Sequence, residues 1–285
     1  MNYNLCRLCP RQCCVDRTAG QVGFCGCSDE LLVAKAMLHH WEEPALAGSG
    51  GSGAIFFGGC TLGCSYCQNR AISGKPVGKG MTSRELRAVM EDLIAQGAEN
   101  IDLVTPTHYL PSILPALEEK LPVPVVYNCG GYERVETLRA LEGKVDIYLP
   151  DLKYADVGLG ARLSGAGDYF FHAGAAIKEM FRQTGKIRRQ GEKVVSGVII
   201  RHLILPGHVE NSLKVLDWIG ENFAPGEVLV SLMRQYTPMP GLPEPLNRPI
   251  TQEEYDAVLS WMWLNGLEGF TQEAAAADSI FIPDF

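Results

Sequence analysis

Apolar residues fall into short runs separated by longer amphipathic stretches along most of the 285-residue chain. AIFFGG at 54–59 has the unbroken apolar pattern of a strand buried on both faces. Similar runs at 100–105, 124–128, 145–150, 196–205 and 227–233 predict five more strands, with a further short one near Gly269–Thr271. Between them the period lengthens. Over 82–97, Leu86, Val89, Met90, Leu93 and Ile94 share one helical face; Thr82 and Glu85 form a capping box, and Gly97 suits the C-terminus. Helices are predicted near 133–142, 168–183, 209–222 and 252–264, and YLPSILPALEEK starts one interrupted by prolines. Strands alternating with helices signal βαβ units and a parallel sheet, hence an α/β fold built as a partial or full barrel.

The first 30 residues show neither period and read as a compact cysteine-rich knot. A short apolar segment and HHWEEPALAG follow, then GSGGSG at 48–53, a tight glycine-rich approach to the first barrel strand. The expected organisation is an extension over 1–47 and a barrel over 48–285. The AAAA run at 274–277 is the one low-complexity tract.

Composition changes this picture in three ways. The apolar fraction of 46% and charged fraction of 20% are those of a globular domain. A net charge of −8 disfavours a broad nucleic-acid footprint, and Lys186, Arg188, Arg189 and Lys193, the dense basic stretch, read as a solvated loop or helix end. No apolar run is long enough to span a bilayer, and the N-terminus lacks a signal-peptide layout, so a cytoplasmic location is expected. In such a compartment ten cysteines, nine of them within the first 67 residues, point to metal rather than disulfides.

The decisive stretch is FFGGCTLGCSYCQN at 56–69. Cys60, Cys64 and Cys67 can hold three irons of a four-iron cubane, leaving the fourth open for chemistry. Because the loop follows a strand directly, the cluster would sit at the carboxyl end of the sheet, where parallel α/β folds place active sites. A zinc site or a ferredoxin-like cluster are the competing readings. Zinc wants four closed ligands, and no further Cys or His lies close after Cys67.

This motif resembles the signature of the radical S-adenosylmethionine (SAM) superfamily, Cys-x3-Cys-x-aromatic-Cys after the first barrel strand. CRLCPRQC, HHWEEPALAGSGGSGAIFFGGC, LVTPTHY, YLPDLKY, IIRHLILPG and SLMRQYTPMP extend the likeness to the PflX-type branch, which resembles pyruvate formate-lyase activating enzymes. The resemblance implies a partial (β/α)6 barrel, a 4Fe–4S cluster, and SAM chelating its open iron. It also implies reductive cleavage to a 5′-deoxyadenosyl radical that abstracts hydrogen from a substrate, and an electron donor such as flavodoxin or ferredoxin. It leaves the substrate open between a protein glycine and a small metabolite.

By the same resemblance Tyr66 lies against the adenine and Asn128 near the ribose. Asp151 and Lys153 match an Asp-x-Lys whose lysine meets the SAM carboxylate. The Gly-Gly-Glu that grips the SAM amino group in activating enzymes is replaced by Thr105-Pro106-Thr107-His108. The hydroxyls of Thr105 and Thr107 or backbone carbonyls could substitute. His108 is a candidate for contact with SAM or substrate, and equally a structural histidine at a strand end. Arg201 and Gln235 can face the barrel interior. Among His39, His40, Glu42 and Glu43, Glu43 is the candidate for substrate recognition.

Cys6, Cys9, Cys13 and Cys25 form a second candidate site, for Zn2+ or an auxiliary iron–sulfur cluster. Two other readings of the whole chain stand beside the radical one: a non-catalytic iron–sulfur electron carrier, and a zinc-stapled barrel with binding or hydrolytic work. A carrier would not need a long βα array beyond its cluster. A hydrolase would need a metal-binding His/Asp set, which is not evident.

Overall fold

The structure, a computed structural model, describes residues 1–272; the 274–277 alanine run lies outside them. In chain order the elements are β1 (Leu31–His39), α1 (Pro44–Ala47), β2 (Ser52–Phe57), α2 (Arg70–Ser73), β3 (Lys79–Met81), α3 (Ser83–Ala95), β4 (Ile101–Val104), α4 (Leu110–Ile113), β5 (Val125–Cys129), α5 (Val135–Leu138), β6 (Ile147–Pro150), α6 (Val157–Ser164), α7 (Tyr169–Thr184), β7 (Arg188–Gln190), β8 (Lys193–Leu203), α8 (Val209–Asn222), β9 (Leu229–Met233), α9 (Gln252–Leu264) and β10 (Gly269–Thr271).

The strands form one sheet in the order β10-β9-β8-β6-β5-β4-β2-β1-β3, with β7 hairpinned onto β8. From β2 to β10 every neighbour on this path is parallel. The helices that follow the strands make this the predicted α/β partial barrel, with β10 as an extra parallel strand at one edge. The capping box of Thr82 and Glu85 forms as expected, and a second one, on Thr251 and Glu254, starts α9.

Register divides the sheet into two faces, because successive side chains alternate. Ala54, Asp102, Val126 and Ile147 are aligned across β2, β4, β5 and β6. Val126, Ile147, Leu149, Ile199 and Leu229 fill the inner face together with Ala45 and Leu46 of α1. Ile55, Leu103, Tyr127, Tyr148, Ile200 and Val230 belong to the larger core between the sheet and its helices.

Three features depart from the expected pattern. The segment before residue 40 is a nine-residue strand: β1 pairs antiparallel with β2, so sheet pairing runs across the boundary at 47/48. The basic stretch is neither loop nor helix end; Arg188–Gln190 pairs with β8, and Lys186 and Lys193 reach Glu227 and Glu99. The helix expected at 133–142 shortens to α5 followed by a 3-10 turn.

The HHWEEPALAG segment explains the depth of the barrel. It leaves β1 at the amino end of β2 and turns inward. Asn100 donates Nδ2 to the carbonyl of Leu46 at 2.8 Å and also bonds Ser52, tying α1 to β2 and β4. Pro44 at the first helical position fixes this entry, with Glu43 just before it. Leu46 then plugs one end of the lumen, and Glu42 and Glu43 are carried inside.

Candidate functional site

The cluster loop starts where β2 ends. Gly59 has φ +84°, and a Cβ there would fall 2.3 Å from Cys27 Sγ and 2.9 Å from the Cys25 carbonyl. Glycine therefore lets the cysteine-rich extension press directly on the loop. Within the loop each of the three sulfurs accepts a hydrogen bond. Leu62 N donates to Cys60 Sγ at 3.4 Å, Ser164 Oγ to Cys64 Sγ at 3.2 Å, and Ser73 Oγ to Cys67 Sγ at 3.4 Å. Burial pushes the Cys60 thiol up to about 12, with Cys64 and Cys67 adding to the rise. Burial also raises Cys67, against the hydrogen bond from Ser73 and the nearby Lys153 ammonium.

Three gathered thiols, each supplied with a donor, fit three corners of a cubane: coordination offsets the cost of ionising them, and the donors then serve thiolates. No set of three or more His, Cys, Asp or Glu side chains among the described residues converges on one metal ion.

An aromatic wall backs the loop. Tyr66 is buried; its ring lies 6.1 Å from that of Tyr236, and its hydroxyl accepts from Tyr154 Oη at 2.8 Å. Tyr154 is also bonded to Ser164 Oγ at 2.7 Å, so hydroxyls link Tyr66 to the Cys64 sulfur. Gln68 Nε2 donates to the Gln235 carbonyl at 2.8 Å, bringing Gln235 to the loop through its backbone.

Asn128, Asp151, Lys153 and Arg201 come together at the carboxyl ends of β5, β6 and β8. Arg201 donates Nε to Asp151 Oδ1 at 3.0 Å and a terminal nitrogen to Asn128 Oδ1 at 2.6 Å. Lys153 Nζ donates to the other Asp151 oxygen at 2.5 Å. Burial works against the Asp151 carboxylate, but Arg201 and Lys153 outweigh it and hold its pKa below the usual range. Asp151 and the Cys64 sulfur in turn raise Lys153 against burial, so its ammonium is placed between the lumen and the cluster loop.

Beneath this layer lie the candidate Glu43 and two groups the sequence did not single out, Asp102 and Glu42. Asp102 is 0% exposed; its Oδ2 accepts from Asn128 Nδ2 at 3.2 Å, and its Oδ1 has no partner. Glu42 accepts from the same Asn128 nitrogen at 3.3 Å and lies 3.8 Å from Arg201. Glu43 is 9% exposed; burial and Glu42 push it up to about 7, and a hydrogen bond with Ser231 works the other way. One clue to Asp102 was visible: a carboxylate inside the apolar strand pattern NIDLVT.

The Thr105–His108 segment divides. Thr105 has φ +59°, a strained backbone for a β-branched residue, at the carboxyl end of β4. Thr107 Oγ1 donates to Glu133 Oε1 at 2.6 Å, and Tyr127 Oη to Glu133 Oε2 at 3.2 Å. His108 faces the extension: its Nε2 bonds the Gly58 carbonyl at 2.8 Å, its carbonyl accepts from Arg17, and burial pushes its pKa down to about 4. It sits behind the cluster loop, away from the lumen carboxylates.

The N-terminal cysteines also separate. Cys9 lies within electrostatic reach of Cys25 and Cys13, after burial the influences that raise it to about 12 alongside Glu133. Cys6 packs instead with Tyr3, Leu8 and Val15. Cys27, outside the predicted quartet, bonds the carbonyls of Cys25 at 3.3 Å and Gly58 at 3.5 Å. Arg17, 0% exposed, donates to the Ser28 and His108 carbonyls and pins this knot to β4's end.

Comparison with known proteins agrees with this geometry. Residues 46–109 match a family model described as a 4Fe-4S single cluster domain. The fold is similar to a radical SAM methyltransferase from Sphaerobacter thermophilus (TM-score 0.53, 15% identity, 77% of this chain and 65% of that one). It is similar to SuiB of Streptococcus suis bound to S-adenosylmethionine (0.51, 14%, 78% and 50%) and to HydG, a maturase of the FeFe-hydrogenase (0.51, 16%, 74% and 49%). The chain thus has the radical SAM barrel fold while spanning about half to two thirds of these proteins. In sequence it is 31% identical over 270 residues to the uncharacterized protein MJ0674 of Methanocaldococcus jannaschii, covering 90% of this chain and 74% of the relative. On that identity and coverage, the chain belongs to the same protein family as MJ0674.

Proposed function

We propose that this protein is a radical SAM enzyme of the PflX-type branch. Cys60, Cys64 and Cys67 hold a 4Fe–4S cluster, and SAM occupies the mouth of the barrel above Asp151 and Lys153. The observation that carries this reading is the union of two features at one end of the sheet. Three hydrogen-bonded thiols share a loop, and an ammonium two residues past a strand is held between Asp151 and the Cys64 sulfur.

Cys60, Cys64 and Cys67 would hold the cluster, which when bound and reduced would supply the electron for cleaving SAM and so the means of abstracting hydrogen from a substrate. The chain's own residues bind and orient. Lys153 offers its ammonium to the SAM carboxylate, and Asp151 fixes that ammonium in place. Tyr66 and Tyr236 form the wall on which the adenine rests, and Asn128 and Arg201 line the approach to the substrate below. Gln235 closes the wall through its bond with Gln68. Thr105 presents backbone and hydroxyl groups to the SAM amino group where activating enzymes have a carboxylate, while the Thr107 hydroxyl is donated to Glu133. His108 and the extension brace the cluster loop from behind.

The substrate is a protein residue or a small metabolite, and the electron donor a flavodoxin or ferredoxin. Zinc or an auxiliary cluster at the N-terminal cysteines Cys6, Cys9, Cys13 and Cys25 is part of the same reading. The thiol-rich chain suits the cytoplasm; among the described residues no helix is long and apolar enough to cross a membrane. The test is anaerobic reconstitution with iron and sulfide, followed by dithionite and SAM. Methionine and 5′-deoxyadenosine should form in equal amounts, and Cys64→Ser should form neither. Reconstituted cluster without SAM cleavage would favour the electron-carrier reading. Bound zinc with no sulfide would favour the zinc-stapled one.

A further inference from the structure

The lumen beneath Asp151 and Lys153 holds more acid than base. Four carboxylates face it: Glu42 and Glu43 from the segment before α1, Asp102 from β4 and Asp151 after β6. The cations are two, Lys153 and Arg201, and both bind Asp151 at hydrogen-bond distance. Asn128 of β5 and Ser231 of β9 are neutral, and His39 of β1, within electrostatic reach of Glu42, has its pKa lowered by burial against the pull of that carboxylate. Glu42 receives Arg201 only at 3.8 Å. Asp102, fully buried, keeps an oxygen without a partner. At the mouth the Asp151, Lys153 and Arg201 side chains each retain 16% exposure, so solvent reaches this layer.

Buried carboxylates without a cation take up protons instead. Burial and the neighbouring Glu42 carboxylate raise Asp102 well above its ordinary range, in line with this surplus. Burial thus favours the protonated form of Asp102, whose proton a positively charged ligand group could replace. Glu42, Glu43 and the orphaned Asp102 oxygen lie together as three acceptors for a group with several N–H donors.

We infer that the lumen binds an organic cation, an amine or guanidine group of the substrate, through Glu42, Glu43 and Asp102. The inference rests on reading the lumen as the substrate chamber of a SAM-dependent enzyme, and it deepens that reading by naming a substrate class. A carboxylate substrate would meet the same three acids and gain no free cation, since Lys153 is given over to the SAM carboxylate and Arg201 is engaged by Asp151 and Asn128.

The test is calorimetric titration of the reconstituted protein with n-butylammonium, against n-butyrate and butan-1-ol as equal-length anionic and neutral probes. Runs in two buffers of different ionisation enthalpy measure proton release. The amine should bind saturably and more tightly than the alcohol, releasing protons. Asp102→Asn and Glu43→Gln, both near-isosteric, should each weaken it about ten- to a hundredfold, the scale of a lost charged hydrogen bond. Binding no tighter than that of butan-1-ol, tighter binding of butyrate, or amine affinity undiminished in both variants would overturn the inference. The comparison of amine with alcohol on the unaltered protein decides it even where a variant fails to fold. SAM cleavage on the same preparation separates the two levels. Cleavage without amine binding sinks only the substrate class; amine binding without cleavage sinks only the radical reading.

Discussion

Arg201 and Asp151 are tied twice, by a parallel bridge between their backbones and by Arg201 Nε donating to Asp151 Oδ1 at 3.0 Å. The pair joins the ends of β6 and β8, and through Lys153 and Asn128 it sets the geometry of the barrel's mouth.

Asp151→Asn should cost about 3–5 kcal/mol of stability, because it leaves two cations without their shared anion. The folded pKa of Asp151 lies below the unfolded value of about 3.9. Its stabilisation is therefore present above that value and lost as the pH falls toward the folded pKa. Chemical denaturation at neutral and acid pH checks both points: the variant should be weaker at neutrality and lose less stability on acidification.

Glu133 tests the opposite sign. Burial raises its pKa from 4.5 to about 7 despite hydrogen bonds from Thr107, Tyr127 and Cys129. The folded state then holds a proton that the unfolded state releases first, so stability falls as pH rises between these values, by about 3 kcal/mol at most. Glu133→Gln keeps the neutral shape. Melting curves should show a smaller loss between acid and neutral pH than in the unaltered protein.

Glu254 accepts from both terminal nitrogens of Arg248 at 2.8 Å and closes the capping box of α9. Those hydrogen bonds, Arg248 first, lower its pKa to about 2. Its contribution is present above the unfolded value of about 4.3 and disappears as the pH falls through about 2. Because Arg248 is largely solvated, Glu254→Gln should cost only about 1–2 kcal/mol at neutral pH, cap included, and almost nothing in strong acid. Thermal melts at the two extremes measure the difference.

Gly59→Ala should be among the most disruptive single substitutions outside the lumen. It adds a Cβ at φ +84°, at a cost of about 1–2 kcal/mol, and drives that carbon into Cys27 Sγ. A total of about 3 kcal/mol or more is expected. The contact being broken belongs to the extension, so proteolysis of residues before β1 should accelerate before the barrel itself melts.

The strand–helix alternation made the barrel legible because the parallel strands are mostly apolar on both faces, a pattern that needs only local information. The cluster loop was legible for a similar reason: Cys60, Cys64 and Cys67 lie within eight residues of one another, so spacing alone brings them together. β3 escaped because it is a three-residue edge strand, β1 because its apolar run LLVAKAML has no strict alternation, and β7 because every residue in it is exposed.

What only the tertiary structure decided is which distant polar residues share a space. Glu42 and Asp102 stand 60 positions apart, yet both bond one nitrogen of Asn128. Their meeting depends on α1 entering the barrel, which rests on Leu46 finding an apolar floor made by four later strands. Cys27 reaches the cluster loop because Gly59 lacks a side chain that would hold it off. Sequence states the chemistry of each group; burial and proximity, which set its charge and partners, are properties of the assembled sheet.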